Sequence, residues 1–444
     1  MPAPNQKVLS SWLSKKIRAS DVIHPDDWHP AIKDFRGVIE GDPELYMLFH
    51  MMFEQIPEKP PYCNDPSGKP QVKDYMTLLS LFNHIIQTTC EWEDHHWVGF
   101  PINAVLCWPM GTAAGSAAFT NVKVNNQFKA MFDVWAELLQ SPDSREHLTT
   151  APNGWFGPAA MQRTPDFIDT FMCDPDAPHS GFTSFDDFFT RRFRDGVRPL
   201  TRGDDDAQIV SPSESTTYNI SYSVKALDQF WLKQRRYSLY HMLAADQIPD
   251  LAEQFVGGTV YQAYVDTLDY HRYHSPVNGR IVRVLHVPGT YYAENPAFGY
   301  ERAGGPASTA SEEQAFLTAV ATRALVFIQA REPVGLMCFM AVGMAEVSTC
   351  EVTVKEGDEV RKGQELGMFH FGGSTTCLVF RPEVRVVFDA EVRELGRRVL
   401  LNSPLGRVED GPDPSLADWL FVDEARVDSI EGKCSGYDRA CTIA

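Results

Sequence analysis

Three short segments carry residues whose types and spacing could do covalent or proton-transfer chemistry. In Gly372-Gly373-Ser374-Thr375 two glycines precede a serine. Glycine lets the backbone enter conformations closed to other residues and lets a neighbouring group approach closely. The serine is therefore placed to attack the carbonyl directly before it. Taken alone, such a tetrapeptide is most simply a turn. In the run Asp269 to Gly279 (DYHRYHSPVNG), His271 and His274 stand three apart. Histidine can accept or donate a proton near neutral pH. The plainer readings of this pair are a surface turn or half a metal site, and no further ligand cluster accompanies it. In Ser211-Pro212-Ser213-Glu214-Ser215, Glu214 follows the strand candidate Ile209-Val210. It reads as a turn residue unless its carboxylate orients a histidine.

The elements that must position these residues fall into two groups, predicting an α+β protein. Up to about residue 165 the pattern is helical. Asp42-Pro43 is a helix start, with Asp as cap and Pro preset at the first position. A second helix is predicted over Tyr75 to Thr89. A third runs from Gln127 to Gln140, with Phe128, Met131, Phe132, Trp135, Leu138 and Leu139 on one face and Ser141-Pro142 as its stop. Ser184 to Arg194 reads as a short amphipathic helix. Beyond it lie strand candidates at Ile209-Val210, Tyr218 to Tyr222, Arg280 to Val287, Ala324 to Gln329, Glu346 to Val354 and Val384 to Phe388. Residues 303–313 read as a loop, and glycines 357, 363 and 367 predict tight turns in a compact sandwich or barrel. The expected organisation is a helical accessory domain over 1–165, a β-rich catalytic domain over 166–408, and a loosely attached extension over 409–444.

Composition weighs against several function classes without excluding them. Acidic side chains number 59 against 40 basic ones, a formal charge of −19, so the average field repels nucleic acid and anionic lipid. The richest apolar stretch, Gly335 to Val347, is too short to cross a bilayer and is interrupted by Glu346. Nine scattered cysteines without a CxxC pair fit reduced thiols in the cytoplasm, with no zinc-ligand spacing among them. No signal peptide is expected at the amino terminus. There is no GxSxG elbow of a serine hydrolase and no motif of a pyridoxal enzyme.

Taken together the segments resemble one family. The chain is similar to the phosphatidylserine decarboxylases, and more closely to their soluble fungal members that act on free amino acids such as tryptophan. The resemblance rests on five motifs in the same order: Phe185 to Leu200 (FDDFFTRRFRDGVRPL), Asp269 to Gly279, Pro288 to Pro296 (PGTYYAENP), Gly367 to Thr375 (GMFHFGGST) and Asn402 to Arg407 (NSPLGR). It spans residue 182 to about 408, and the helical part looks like that fungal subgroup's extra domain.

The resemblance implies a cofactor made from the chain itself. Ser374 would attack the Gly373 carbonyl, the chain would split into residues 1–373 and 374–444, and the new end would become a pyruvoyl group. Its carbonyl would form a Schiff base with the substrate amine and draw electrons as carbon dioxide leaves. By the same resemblance His274 is the base for Ser374, Glu214 its orienter, and His271 the donor that reprotonates the product. One departure stands out: the family carries aspartate in an SPADG-like motif, where this chain has Glu214, the same charge on a longer arm. His370 and the pair His95-His96 are assigned no role, and no substrate-binding residue is predicted.

The implied substrate is a free, aromatic amino acid such as L-tryptophan, with the two cleaved chains remaining associated and a homodimer open. The alternatives are a phosphatidylserine decarboxylase making phosphatidylethanolamine, and a non-cleaving scaffold homologue. The ending Cys441-Thr442-Ile443-Ala444 has the form of a prenylation signal, with no polybasic run before it and Cys434 as a second lipid acceptor. Such endings also arise by accident, so the expected location is the cytoplasm, with no transmembrane segment.

Overall fold

The fold was analysed in a computed structural model, which describes residues 6–56, 72–92, 100–106, 108–228, 237–293 and 314–409. His95-His96, the 303–313 loop, Cys434 and Cys441 lie outside the described residues.

The first half is helical because its apolar residues recur at helical spacing behind clear caps. The helices are α1 (Gln6–Ser20), α2 (Pro30–Gly41), α3 (Pro43–Glu54), α4 (Tyr75–Ile85), α5 (Pro101–Leu106), α6 (Ala113–Thr120) and α7 (Val122–Gln140). Asp42 caps α3 as its type demands, accepting from Glu44 N at 3.0 Å and Leu45 N at 3.3 Å. Helix α7 is longer than the apolar stripe predicts. Capped by Asn121, it starts at Val122, five residues earlier than Gln127, and Ser141-Pro142 ends it. α4 stops at Ile85, short of Thr89. Three short helices follow: α8 (Pro158–Arg163), α9 (Phe167–Thr170) and α10 (Phe185–Phe189). The amphipathic helix predicted to Arg194 is only α10. Its Arg191 turns inward, donating to the carbonyls of Leu268 and Asp269.

The second half is antiparallel sheet. The strands are β1 (Gln208–Val210), β2 (Ser215–Ser221), β3 (Thr259–Val265), β4 (Arg272–His274), β5 (Gly279–Val287), β6 (Arg323–Ala330), β7 (Leu336–Met344), β8 (Cys350–Val352), β9 (Glu359–Val360), β10 (Glu365–Phe369), β11 (Gly373–Phe380), β12 (Val386–Phe388), β13 (Arg398–Val399) and β14 (Pro404–Val408). Eight of them form one sheet in the order β13-β2-β3-β11-β7-β6-β5-β9, and two three-stranded sheets run β1-β14-β12 and β4-β10-β8. Period-two alternation divides the large sheet's residues between two cores. Ala341, Phe339, Leu378 and Phe380 face the core shared with the small sheets. Met340, Val342, Cys377 and Val379 face the core covered by α11 (Leu239–Met242), α12 (Pro249–Ala252) and α13 (Gln314–Val320).

The strand predicted over Glu346 to Val354 is interrupted. Ala345, Glu346 and Ser348 have φ of 57°, 49° and 38°, left-handed values that no strand accommodates. The segment therefore turns, and only Cys350–Val352 pairs as β8.

The helical and β halves share a single core. Phe371 is fully buried, with ring centroids 5.4 Å from Trp135 on α7 and 5.4 Å from Phe185 and Phe189 on α10. Tyr292, Val347 and Tyr270 join the same cluster. Replacing Phe371 with Ala removes a buried ring from this joint. It is expected to cost about 3–5 kcal/mol in denaturant unfolding; a loss under about 1 kcal/mol would show that the ring is dispensable to the joint.

Candidate active site

Ser374 is the second residue of β11, in the middle of the large sheet. Its backbone pairs with Val265 on β3 and with Gly343 on β7. Its side chain is 2% exposed, and its Oγ has no hydrogen-bond partner. A buried hydroxyl without a partner carries a desolvation cost. Two glycines make the approach to it possible. Gly372 has φ of 154°, and a Cβ there would fall 2.0 Å from Ser348 Oγ. A Cβ on Gly343 would fall 2.2 Å from the Ser348 carbonyl oxygen. The turn 345–348 thus lies directly against the backbone that leads into Ser374. Ser348 N donates to the Phe371 carbonyl at 2.9 Å.

His271 lies in the connection between β3 and β4, and His274 ends β4. His271 is fully buried, stacked on Phe189 with ring centroids 3.9 Å apart. Its Nε2 lies 3.1 Å from the Thr267 carbonyl, which makes Nε2 the protonated nitrogen and leaves Nδ1 bare and unpartnered. Burial pushes its pKa down to about 3, so the ring is neutral at ordinary pH. His274 has both nitrogens engaged. Nδ1 donates to the Gly363 carbonyl at 2.8 Å, and Nε2 accepts from the Tyr270 hydroxyl at 3.0 Å. Burial lowers its pKa, opposed by the Gly363 carbonyl and the Glu365 carboxylate.

Glu214 does not meet His274 through a hydrogen bond in this geometry. Its carboxylate is 1% exposed. It accepts from Arg198 Nε at 2.7 Å, Arg398 Nη2 at 3.2 Å and Leu401 N at 2.8 Å. Arg398 also reaches Asp269 at 2.6 Å. The longer glutamate arm thus carries the charge to two guanidiniums, and through Arg398 to the residue that opens the DYHRYH run. Burial raises the Asp269 pKa to about 6, with Arg398 opposing. The expected Glu214–His274–Ser374 relay is therefore not assembled as a chain of hydrogen bonds here. Glu214 and His274 are held by other partners, and Ser374 Oγ has none.

Several residues at this site carried no signal in the sequence. His370, assigned no role, is buried between carboxylates. Nδ1 lies 2.8 Å from Asp186 on α10 and Nε2 2.9 Å from Glu351 on β8. Burial works against its charge, but the two carboxylates outweigh it and its pKa is raised. Ser348 was hidden because its contact with the Gly373 carbonyl spans 25 residues of sequence. A cavity of about 810 Å³ lies between α7 and the sheet, walled in part by Phe132, Asp133, His286, Tyr291, Ser348 and Glu351. No cluster of three or more metal-ligating side chains exists among the described residues. No described helix is long and apolar enough to cross a membrane.

Glu346 marks the joint electrostatically. It is fully buried, with one oxygen accepting from Asn103 N at 3.0 Å on α5 and the other unpartnered. Burial raises its pKa from 4.5 to about 8. The folded protein therefore holds this proton over a range where the unfolded chain has released it. The associated stability is fully present below pH 4.5 and is lost as pH rises toward 8. At about 1.4 kcal/mol per pK unit the loss is of the order of a few kcal/mol. Glu346→Gln, which mimics the protonated form, is expected to flatten the fall in stability across that window in denaturant titrations. An unchanged slope would contradict the assignment.

Comparison with known proteins identifies the family. The sequence pattern of the phosphatidylserine decarboxylase family matches residues 185–407, and a second pattern of the same description matches residues 29–164. The decarboxylase iboD of Amanita muscaria is 45% identical over 323 residues, covering 70% of this chain and 91% of the relative. The L-tryptophan decarboxylase of Psilocybe cubensis is 35% identical over 393 residues, covering 84% of each. Phosphatidylserine decarboxylase proenzyme 3 of Schizosaccharomyces pombe is 32% identical over 219 residues, 49% of this chain and 21% of that one. The chain belongs to the phosphatidylserine decarboxylase family and is a decarboxylase, a carboxy-lyase.

Proposed function

We propose that this decarboxylase cleaves itself between Gly373 and Ser374, converts Ser374 to a pyruvoyl group, and acts on a free aromatic amino acid of the L-tryptophan type. The observation that carries the reading is the buried, unpartnered Oγ of Ser374 at the start of β11. Gly372 and Gly343, by lacking a Cβ, let the turn 345–348 lie against the backbone that leads into Ser374. The residues present fit the formation of such a group.

The chemistry asked of the chain is an acyl shift followed by elimination. Ser374 Oγ adds to the Gly373 carbonyl carbon while its proton passes to a base. Breaking the C–N bond leaves an ester, and the nitrogen takes up a proton. Elimination then passes the Ser374 Cα proton to a base and breaks the Cβ–Oγ bond, freeing Gly373 as a carboxylate and leaving a dehydroalanine end that tautomerises to an imine. Hydrolysis of the new end releases ammonia. An unactivated serine is a weak nucleophile, so the base matters. A base works best with a pKa near the working pH, and His271, held near 3, is poorly matched. His274 is the better base, helped by the Glu365 carboxylate. To act, its Nε2 must exchange the Tyr270 hydroxyl for Ser374. Glu214 holds the histidine-bearing run in place through Arg398 and Asp269. The pyruvoyl group, once formed, supplies an electrophilic carbonyl for the substrate amine and a sink for electrons as carbon dioxide leaves. His271 is kept as the donor that reprotonates the product, a role in which the neutral ring would give up the Nε2 proton now held by the Thr267 carbonyl.

The free amino acid reading is supported by relatives named L-tryptophan decarboxylase that cover most of the chain. A cavity of about 810 Å³ also suits a small molecule. The relatives named phosphatidylserine decarboxylase keep lipid as the second reading. A cytoplasmic location accompanies the first. The division into residues 1–165, 166–408 and 409–444 is part of the proposal as an account of the sequence.

Purified protein incubated with tryptophan, phenylalanine and tyrosine is expected to release carbon dioxide and amine from at least one of them. Phosphatidylserine vesicles should give none. Activity on vesicles alone would transfer the assignment to the lipid reading. The two histidines are expected to separate on a gel. His274→Gln should leave the chain uncleaved, whereas His271→Gln should cleave and lose most amine formation. The opposite pattern would put the base at His271.

A further inference from the structure

Resting on the self-cleavage just described, we propose that the Ser348 hydroxyl is a catalytic hydrogen-bond donor to the Gly373 carbonyl oxygen during the acyl shift. Ser348 Oγ lies 3.3 Å from that oxygen, 25 residues away in sequence. It has two other acceptors in reach, the Met344 carbonyl at 2.5 Å and the Ala345 carbonyl. A hydroxyl has one proton, so it bonds one of the three at a time. In the resting chain all three are neutral carbonyls, and the nearer two hold the proton.

The balance changes when Ser374 Oγ adds to the Gly373 carbon. The new C–O bond pushes the carbonyl π electrons onto the Gly373 oxygen, which gains negative charge. Hydrogen bonds to a charged acceptor are shorter and about twice as strong as neutral ones. The Ser348 O–H then turns to Gly373 without any movement of its backbone, and turns back when the C–N bond breaks and the ester carbonyl re-forms. No proton is consumed in this role.

The backbone around Ser348 fits a held donor better than an ordinary turn. Ala345, Glu346 and Ser348 all have left-handed φ, a conformation that costs energy for residues other than glycine. It persists because the neighbours fix it. Glu346 N donates to the Tyr292 hydroxyl at 2.8 Å, and Ser348 N donates to the Phe371 carbonyl at 2.9 Å. Gly372 leaves the space that the hydroxyl occupies, since any side chain there would strike Ser348 Oγ. A hydroxyl serving only to cap its own turn would need none of this clearance.

The test follows cleavage of freshly translated full-length chain over time, by gel and mass, for the wild type, Ser348→Ala, Ser348→Gly and Thr349→Ala. Both Ser348 variants lack the hydroxyl, and the glycine variant also eases the left-handed backbone, so a folding defect in one is controlled by the other. Loss of one such donor slows acyl transfer by about 10²–10³ in enzymes that rely on it. We expect at least a tenfold slowing in both Ser348 variants, with thermal unfolding close to wild type in the glycine variant and cleavage of Thr349→Ala unchanged. A folded Ser348→Gly chain that cleaves at the wild-type rate would overturn the role of Ser348. A wild-type chain that never cleaves would overturn the reading on which it rests.

Discussion

The packing of Phe371 is the constraint on which the site depends. Its ring is fixed by Trp135, Phe185 and Phe189 from the helical half, and its carbonyl is fixed by Ser348 N from the turn after β7. The two residues that follow are glycines with little steric restraint of their own. Without a buried anchor immediately before them, Gly372 and Gly373 would sample many conformations, and the carbonyl next to Ser374 would have no defined direction. Anchored on one side by Phe371 and on the other by the register of β11 between β3 and β7, they have one. The helical region is thus not an appendage beside the β region. It supplies half of the clamp on the segment that carries the chemistry.

A second constraint is electrostatic. The chain places Glu214 in a buried position with two arginines and a backbone N–H on its oxygens. Removing both arginines from such a group would leave a buried charge without a counterion. The arrangement ties β2, β13 and the loop opening at Asp269 together. The histidines that follow inherit their positions from it. His271 and His274 stand three residues apart, yet their environments differ. One is stacked on Phe189 with a bare nitrogen, and the other has both nitrogens bonded. That difference divides the labour proposed for them.

Much of the frame was legible from residue types. Asp42 before Pro43, the apolar face of α7 and its Ser141-Pro142 stop, and the β-formers of β5 and β6 each determine an element through local physics. The α+β division follows from where those patterns change. Other features needed tertiary context. β7 reads as an unbroken apolar run because both of its faces are buried between two cores, so no alternation marks it as a strand. The stretch after it reads as strand from its β-formers, but contacts with Asn103 and Tyr292 bend it into a turn. At the site, Ser374, Glu214 and the two histidines stood out by motif. Arg398 and Ser348 did not, since their partners lie 184 and 25 residues away and no local pattern encodes such pairs.

The central claim is that Ser374 becomes the cofactor. It is tested most directly by intact mass measurement of the full-length protein beside Ser374→Ala. The account predicts two chains in the wild type: one ending at Gly373, and a second of roughly 8 kDa by its share of the 49.9 kDa total. That second chain should weigh one ammonia less than a fragment beginning with free serine. Ser374→Ala should remain a single chain. A single intact chain in both samples, or a short fragment that retains its serine nitrogen, would contradict the account.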